Sequence, residues 1–576
     1  RVINAIYTAV RDRNWGTLIP VIEKEEISEE KGDLSISLDL RYESKEILFR
    51  ARTGIGVEKS RLWFRFEGVA EGDFLRNRIG ICVLHPMEEC RGKPLRVNHP
   101  DGSTSQGRFP ELISARQPFQ NISGMVWSPR KGMEGELEFQ GEIFEMEDQR
   151  NWTDASYKTY GTPLDIPFPA LVEEGTQIIQ RADLQVRAPR IPATVKQKES
   201  VVIRPQMETP VSFPAIGISR PPGRESMTIS ESRIISEVPF SHLRADLQLA
   251  SNHWKETYGQ IHAEQQIMGR PVELALHFPE RPEDGLNEFL HAYREAPLPL
   301  ARILIFDQQH LTGSELTRSI IPSIKQKLPG IPVGGGSDAH FTELNRNPPD
   351  TGTLDFVCYT ISPQVHAFDN LTLVENVRTQ SDTVRSAATL LDLPVAITAV
   401  SLKQRFNPVA TDPEGSQSAE PESDLRQHTL FGAGWTLACL NTLIGSGATS
   451  VTLYETVGSR GVLNSIEEGP MKSPQFHLLK ELLGGEQHRY LPSVSQDPLR
   501  VICLLAEARS GRSIYLANHT ESECRFDISG IADALGNGQS FQITALYPDG
   551  WRDAATSVHP PGIITLSPFR VLKVVK

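Results

Sequence analysis

The sequence predicts a multidomain chain: an N-terminal β-sandwich, a central (β/α)8 TIM-like barrel and a small C-terminal β-sandwich. Three observations carry this expectation. The chain has 576 residues, 39% of them hydrophobic, which is too long for one ordinary core. Its two ends are written in short runs of alternating apolar and polar residues, the period-2 signature of strands with one buried face. Its middle alternates short apolar runs with helical stretches, as a parallel sheet with crossover helices does. The boundaries fall at 1–205 for the N-terminal domain, 206–490 for the barrel and 491–576 for the C-terminal domain.

In the first domain the alternating runs are 34–40, 62–66, 136–144 and 177–180, punctuated by Gly, Asn and Pro. In the middle, eight candidate strands follow in order: 211–218, 245–250, 272–277, 301–306, 332–336, 354–360, 395–402 and 450–455. Helix-like stretches at 252–268, 313–327, 373–391 and 427–443 lie between them, and eight strands are enough to close a barrel. The segment 407–426 is rich in Pro, Glu, Ser and Gly. It reads equally as an active-site lid or as a variable surface insertion. Beyond 491 the alternation returns at 499–506, 512–518 and 563–575, and no repeat of fixed period is present.

The formal charge of -13 disfavours a phosphate backbone as partner, and no basic run interleaved with aromatics offsets it. Nucleic acid is therefore not expected. The longest apolar runs are strand-sized, so no membrane span is expected either. Six scattered cysteines, Cys82, Cys90, Cys358, Cys439, Cys503 and Cys524, form no CxxC pair. They read as reduced core thiols, and the expected location is cytoplasmic. Oligomeric state is not legible.

GxSxG, HExxH, GxGxxG and GxxxxGK[ST] are all missing from the chain, which argues against serine esterase, zincin, dehydrogenase and P-loop chemistry. Neither a cofactor nor a metal is expected, because no compact His/Cys cluster is present. Gly334-Gly335-Gly336-Ser337 is not followed by Lys and ends a strand. Its glycines read as places where the backbone approaches a ligand.

Polar residues after the carboxyl ends of barrel strands converge on one mouth. Four sets occupy the ends of the last four strands: Asp338-Ala-His340-Phe-Thr-Glu343-Leu-Asn345-Arg346, Ser362-Pro-Gln364-Val-His366, Ser401-Leu-Lys403-Gln-Arg405 and Tyr454-Glu455-Thr456. Carboxylates, a histidine and two cations in one cavity suit water activation and oxyanion stabilisation. Glu343, His366, Glu455 and Lys403 are the candidate catalytic residues, with Asp338, Asn345, Arg405 and Tyr454 binding substrate. Taken singly, Glu343 or Glu455 also fits a solvated rim carboxylate, and His366 a hydrogen-bonded core histidine. In the first domain Asp148, Arg150, Asn151 and Trp152 form a second candidate binding cluster, where carboxylates and an aromatic face suit a polyhydroxylated ligand. An ion-pair network at a domain contact fits the same residues.

Ala9-Val-Arg-Asp-Arg-Asn-Trp-Gly16, Gly80-Ile-Cys-Val-Leu-His-Pro86, Phe144-Glu-Met-Glu-Asp-Gln-Arg-Asn-Trp-Thr-Asp-Ala155, Phe341-Thr-Glu-Leu-Asn-Arg346 and Ile361-Ser-Pro-Gln-Val-His-Ala-Phe-Asp369 resemble the D-apionate lactonase family. The resemblance runs from the N-terminus through the barrel. It implies a hydrolase that opens D-apionolactone to D-apionate, with a small-molecule sugar lactone or carbohydrate as partner. The barrel is also similar to those of retaining glycoside hydrolases, whose acid/base Glu ends the fourth strand and whose nucleophile Glu ends the seventh. Here the fourth strand ends Ile305-Phe306-Asp307-Gln308 and the seventh Ala399-Val400-Ser401-Leu402. Neither supplies the carboxylate pair that double displacement requires. Lactone hydrolysis is therefore the first expectation, a glycoside hydrolase using Glu343 and Glu455 the second, and a non-catalytic sugar-binding protein the third.

Overall fold

Every residue of Val272–His277 is buried, and so is every residue of Phe356–Ile361, Val395–Val400 and Ser450–Val457. A strand is buried on both faces when helices cover one side of a parallel sheet and the other side closes on itself. The computed structural model describes the chain except for residues 31, 190–199, 206–209, 223–225, 409–422, 467–468, 486, 492, 510, 528, 530–534, 536–540 and 555–562.

The barrel strands are β1 (Ala215–Ser219), β2 (Leu243–Gln248), β3 (Val272–His277), β4 (Leu300–Phe306), β5 (Val333–His340), β6 (Phe356–Ile361), β7 (Val395–Val400) and β8 (Ser450–Val457). They pair in sequence order, and β1 pairs with β8 to close the ring. Each overlaps a candidate strand of the sequence. The helical stretches are also present, two of them divided: 370–377 and 379–391 are separate helices, and a π-helical turn at Leu316–Ile320 precedes Ile321–Lys327. After β8 a hairpin, Gly461–Ile466 and Gly469–Lys472, extends the sheet.

Inside the ring Ala275, Leu304, Phe306, Phe356, Cys358 and Ala396 form one apolar cluster drawn from four strands. The three glycines of β5 serve this packing rather than a ligand. A Cβ on Gly334 would strike the Phe356 ring, one on Gly335 the Thr312 side chain, and one on Gly336 the Cys358 carbonyl.

The first compact unit covers Arg1–Val195 with Phe406–Pro421. Its described residues build a nine-stranded sheet and a six-stranded sheet. Alternation shows in Leu48–Glu58, where Phe49, Ala51 and Thr53 face the core and Arg50 and Arg52 face solvent. Phe49, Phe66, Ile81, Val83, Leu137 and Phe144 belong to that core. Most of 407–426 lies outside the described residues.

In the second unit the C-terminal strands form two sheets over a core that includes Cys503, Leu505, Leu516, Phe526 and Val574. Ser200–Pro205, assigned from the sequence to the N-terminal domain, pairs instead with Ser493–Ser495 and Cys524–Asp527. Its apolar Val201 and Ile203 complete the C-terminal core, a long-range pairing that local alternation does not specify. All six cysteines are buried and free. No helix among the described residues is long and apolar enough to cross a membrane.

Candidate active site

Alternation along the barrel strands sends one charged residue after another into the ring. On β3, Glu273, Ala275 and His277 share the inner face, and on β2 Arg244 and Asp246 do. The amino-terminal layer is a closed polar plug. Glu273, fully buried, lies 3.2 Å from Arg302 Nε and 3.6 Å from His242 Nε2, and accepts a 3.2 Å hydrogen bond from Thr452 Oγ1. Burial holds the His242 imidazole down at about 4. Such an ion-paired layer reads as structural, since function in this architecture sits at the opposite end of the strands.

At the carboxyl ends the charges converge on two aspartates. Arg244, fully buried, donates through Nη2 to Asp246 Oδ1 at 2.8 Å and also to Asp338 Oδ1, and through Nη1 to the Thr398 carbonyl. Arg405 reaches in from the loop after β7, with Nη1 2.8 Å from Asp338 Oδ1 and Nη2 2.9 Å from Asp246 Oδ2. Burial alone would raise both carboxyls, but the two guanidiniums outweigh it and hold both well below the usual carboxylate range. His277 Nε2 stands 3.3 Å from Asp246 Oδ1 and 3.8 Å from Asp338 Oδ2. His310 Nδ1 stands 3.4 Å from Asp338 Oδ2.

His310 reaches this position through a local turn. Asp307 Oδ1 accepts from the backbone N–H groups of Gln309 and Leu311 at 2.8 and 3.0 Å. The chain then passes His310 in the left-handed region, φ 60°, which His tolerates better than most residues. Leu311 bridges to Ser337, and the Asp338 N–H donates to the His310 carbonyl at 2.9 Å. The loop after β4 is thereby zipped along β5. His310 keeps 33% of its side chain exposed, whereas His277 and Asp338 are buried. The trio therefore opens toward solvent through His310.

Of the residues singled out from sequence, Asp338 and Arg405 belong to this cluster. Glu343, His366 and Lys403 follow the ends of β5, β6 and β7, and Glu455 lies two residues before the end of β8, so all four are at the same end of the barrel. Their surroundings differ. Glu343 is the third residue of the helix Phe341–Arg346. Burial pushes its carboxyl up to about 7, and its Oε2 has no hydrogen-bond partner among the described residues. Asn345 is half-buried on the same helix. His366 is half-buried on the loop after β6 and lies outside the His277–His310–Asp338 trio. Lys403 Nζ sits 4.6 Å from the centre of the Phe368 ring. Glu455 faces Arg460, whose Nε is 3.3 Å from its Oε1 in a nearly buried pair.

Two assignments change. Tyr454 is turned away from the barrel interior, with its hydroxyl 2.8 Å from Thr436 Oγ1 on the helix Leu430–Gly445. Strict alternation with Ser450 and Thr452 would have put it inside. A bulge at that point, with Tyr454 at φ 46°, reverses the face. The cluster in the first domain is directed inward. Arg150 and Asp148, both fully buried, pair at 2.7 Å, and Arg150 also donates to the carbonyls of Glu111 and Pro110 at 3.0 and 2.9 Å. Asn151 Nδ2 donates to the Ser114 and Asp148 carbonyls at 2.6 and 3.1 Å. Trp152 closes the same short turn, nearly buried. These groups fasten the 110–114 segment to the domain interior. Arg405, for its part, bridges two aspartates.

The residues that sequence reasoning missed are Arg244, Asp246, His277 and His310. His277 ends candidate strand three, so the strand-end rule applied to all eight strands would have found it, whereas Asp246 is the second residue of candidate strand two and escapes that rule.

Two family models cover most of the chain. The N-terminal domain of D-apionate lactonase matches residues 1–189, and its TIM barrel domain matches residues 216–487. The chain belongs to the D-apionate lactonase family. A D-apionate lactonase of Brucella anthropi (strain ATCC 49188) is 26% identical over 553 residues, covering 92% of this chain and 90% of that relative. Among solved structures, an alpha-L-arabinofuranosidase from Thermotoga maritima in complex with arabinose aligns at TM-score 0.47 and 11% identity over 65% of this chain and 99% of its own. A GH30 endoxylanase from Clostridium papyrosolvens aligns at TM-score 0.43 and 9% identity over 65% and 99%.

Proposed function

We propose that this member of the D-apionate lactonase family hydrolyses a sugar-derived aldonolactone, D-apionolactone to D-apionate being the reaction its family points to. The observation that supports the reading is the convergence of His277, His310 and Asp338 at the open end of the barrel, backed by Asp246, Arg244 and Arg405. A water beside His310 attacks the ring carbonyl. The water oxygen bonds to the carbonyl carbon, the bond from that carbon to the ring oxygen breaks, and the proton taken from water passes to the ring oxygen. Asp338 orients and polarises the imidazoles. Lys403, two residues before Arg405 on the same loop, supplies positive charge toward the developing oxyanion. Glu343 and Asn345 face the lactone hydroxyls.

The glycosidase alternative, which would use Glu343 and Glu455, is less well supported. Glu455 is paired with Arg460, and the residue after β4, Asp307, has one carboxylate oxygen engaged by two backbone N–H groups. The test is acid release from D-apionolactone in a pH-stat, with saturation and enzyme dependence separating turnover from spontaneous opening. Aryl glycosides of common sugars should remain intact. Cleavage of any such glycoside, with no lactone turnover above background, would reverse the assignment.

A further inference from the structure

We infer that His277, His310 and Asp338 form a binding site for a transition-metal dication of the Zn2+ or Co2+ class at the barrel mouth. The absence of a compact His/Cys motif predicted no metal, but these donors come from β3, the loop after β4, and β5, so no local spacing announces them. One donor atom from each lies within 4.8 Å of the other two. Two imidazoles and one carboxylate, with a fourth position left for water, is the donor set of an open catalytic site. The partial exposure of His310 leaves a route for ion and water.

The spacing suits coordination. An imidazole donating to a carboxylate sits at about 2.7–2.9 Å, whereas His310 and His277 stand 3.4 and 3.8 Å from Asp338 Oδ2. Donors bound at about 2.0–2.1 Å around a tetrahedral ion are separated by roughly 3.3 Å. The two contacts therefore need only a small contraction. Asp338 is also prepared for the task. Arg244 and Arg405 both approach its Oδ1, which leaves Oδ2 toward the imidazoles. Asp246 Oδ1 stands 3.3 Å from the same His277 Nε2, so an ion bound there takes the place of that hydrogen bond.

The two arginines also bound the strength of the site. With Asp246 and Asp338 they sum to zero charge, so the ion enters a neutral cluster and is expected to exchange readily and to be stripped by chelators. When bound, it lowers the pKa of its water to about 7, which supplies a hydroxide nucleophile at neutral pH. Only this catalytic use rests on the lactonase reading; the site itself does not.

The test is a titration of the chelator-treated full chain with Co2+, followed by visible absorption. One equivalent should produce the intense bands of a tetrahedral ion, and His310→Ala should abolish them while circular dichroism and Tm remain those of the parent. His277→Gln provides a second variant at the buried ligand. Failure of the parent to bind Co2+, or binding unchanged in a folded His310→Ala, would overturn the inference. Lactone turnover by metal-free protein with no Co2+ binding removes the metal and leaves the function. Co2+ binding without lactone turnover in any metallated form does the reverse.

Discussion

Arg405 bridges Asp338 and Asp246: its Nη1 and Nη2 lie 2.8 and 2.9 Å from carboxylates on β5 and β2. One guanidinium on the β7 loop thus ties strands from opposite parts of the ring. Lysine carries the charge but cannot fork, so Arg405→Lys should leave one aspartate short of a partner. Breaking a buried pair of this kind costs about 3–5 kcal/mol. Denaturant unfolding should show a loss approaching that range, and lactone turnover should fall with it. Unchanged stability would show that Arg244 alone suffices to hold both carboxylates.

His310 is the exposed member of the trio, so its replacement separates chemistry from folding. His310→Gln should lower kcat by about 10²- to 10⁴-fold, the scale of a positioned water-activating group, with a loss of unfolding free energy of only about 1 kcal/mol. Steady-state kinetics beside a thermal melt provide both readouts. A variant that keeps parental kcat would remove His310 from the reaction.

Glu343 has its carboxyl raised from 4.5 to about 7 by burial. Between those values the folded chain keeps a proton that the unfolded chain has lost, so stability falls as pH rises through this window. At 1.36 kcal/mol per unit the difference is on the order of 3 kcal/mol at pH 8. Glu343→Gln keeps the shape without the charge. Its Tm should exceed the parent's at pH 8 and match it near pH 4.5, and equal Tm values at both would refute the buried-acid assignment.

Three buried histidines act in the opposite sense. His85 in the first unit is held down at about 3, and His242 in the barrel and His519 in the C-terminal region at about 4, all by burial. Their folded forms refuse a proton that the unfolded chain accepts below its ordinary value near 6.5. Stability should therefore be full above about pH 6.5 and decline as pH falls toward 4. Replacing His519, neither of whose ring nitrogens has a partner among the described residues, with Leu should flatten part of that decline in urea melts at pH 4.5 and pH 7.

Glu455 tests whether a mouth carboxylate is chemical or structural. Its partner Arg460 is 5% exposed, so Glu455→Gln strands a buried cation and should destabilise the fold. The double variant Glu455→Gln/Arg460→Met removes both charges and should recover stability and turnover together. Stability recovered with kcat still down by about 100-fold would restore Glu455 to the catalytic set.

The sequence alone determined the architecture. Short apolar runs such as 303–306 and 395–400, spaced by amphipathic stretches, have few solutions other than a parallel barrel, and the alternation of 48–58 leaves little but a half-buried strand. It also determined the family, through strings such as Phe144 to Ala155, although the physical task of that string, a buried Asp148–Arg150 lock, was not readable from it. What tertiary structure decided is which polar side chains meet. Asp338 and Arg405 were recognisable because they follow late strands, but their partners Arg244, Asp246, His277 and His310 stand far away in sequence and enter through ring closure. The face taken by Tyr454 depended on a one-residue bulge, and the side taken by Ser200–Pro205 on a pairing nearly 300 residues away. Periodicity is a local property and survives in a string of letters. Contacts between strand ends are set by closure and register, and a single bulge or crossover reassigns them.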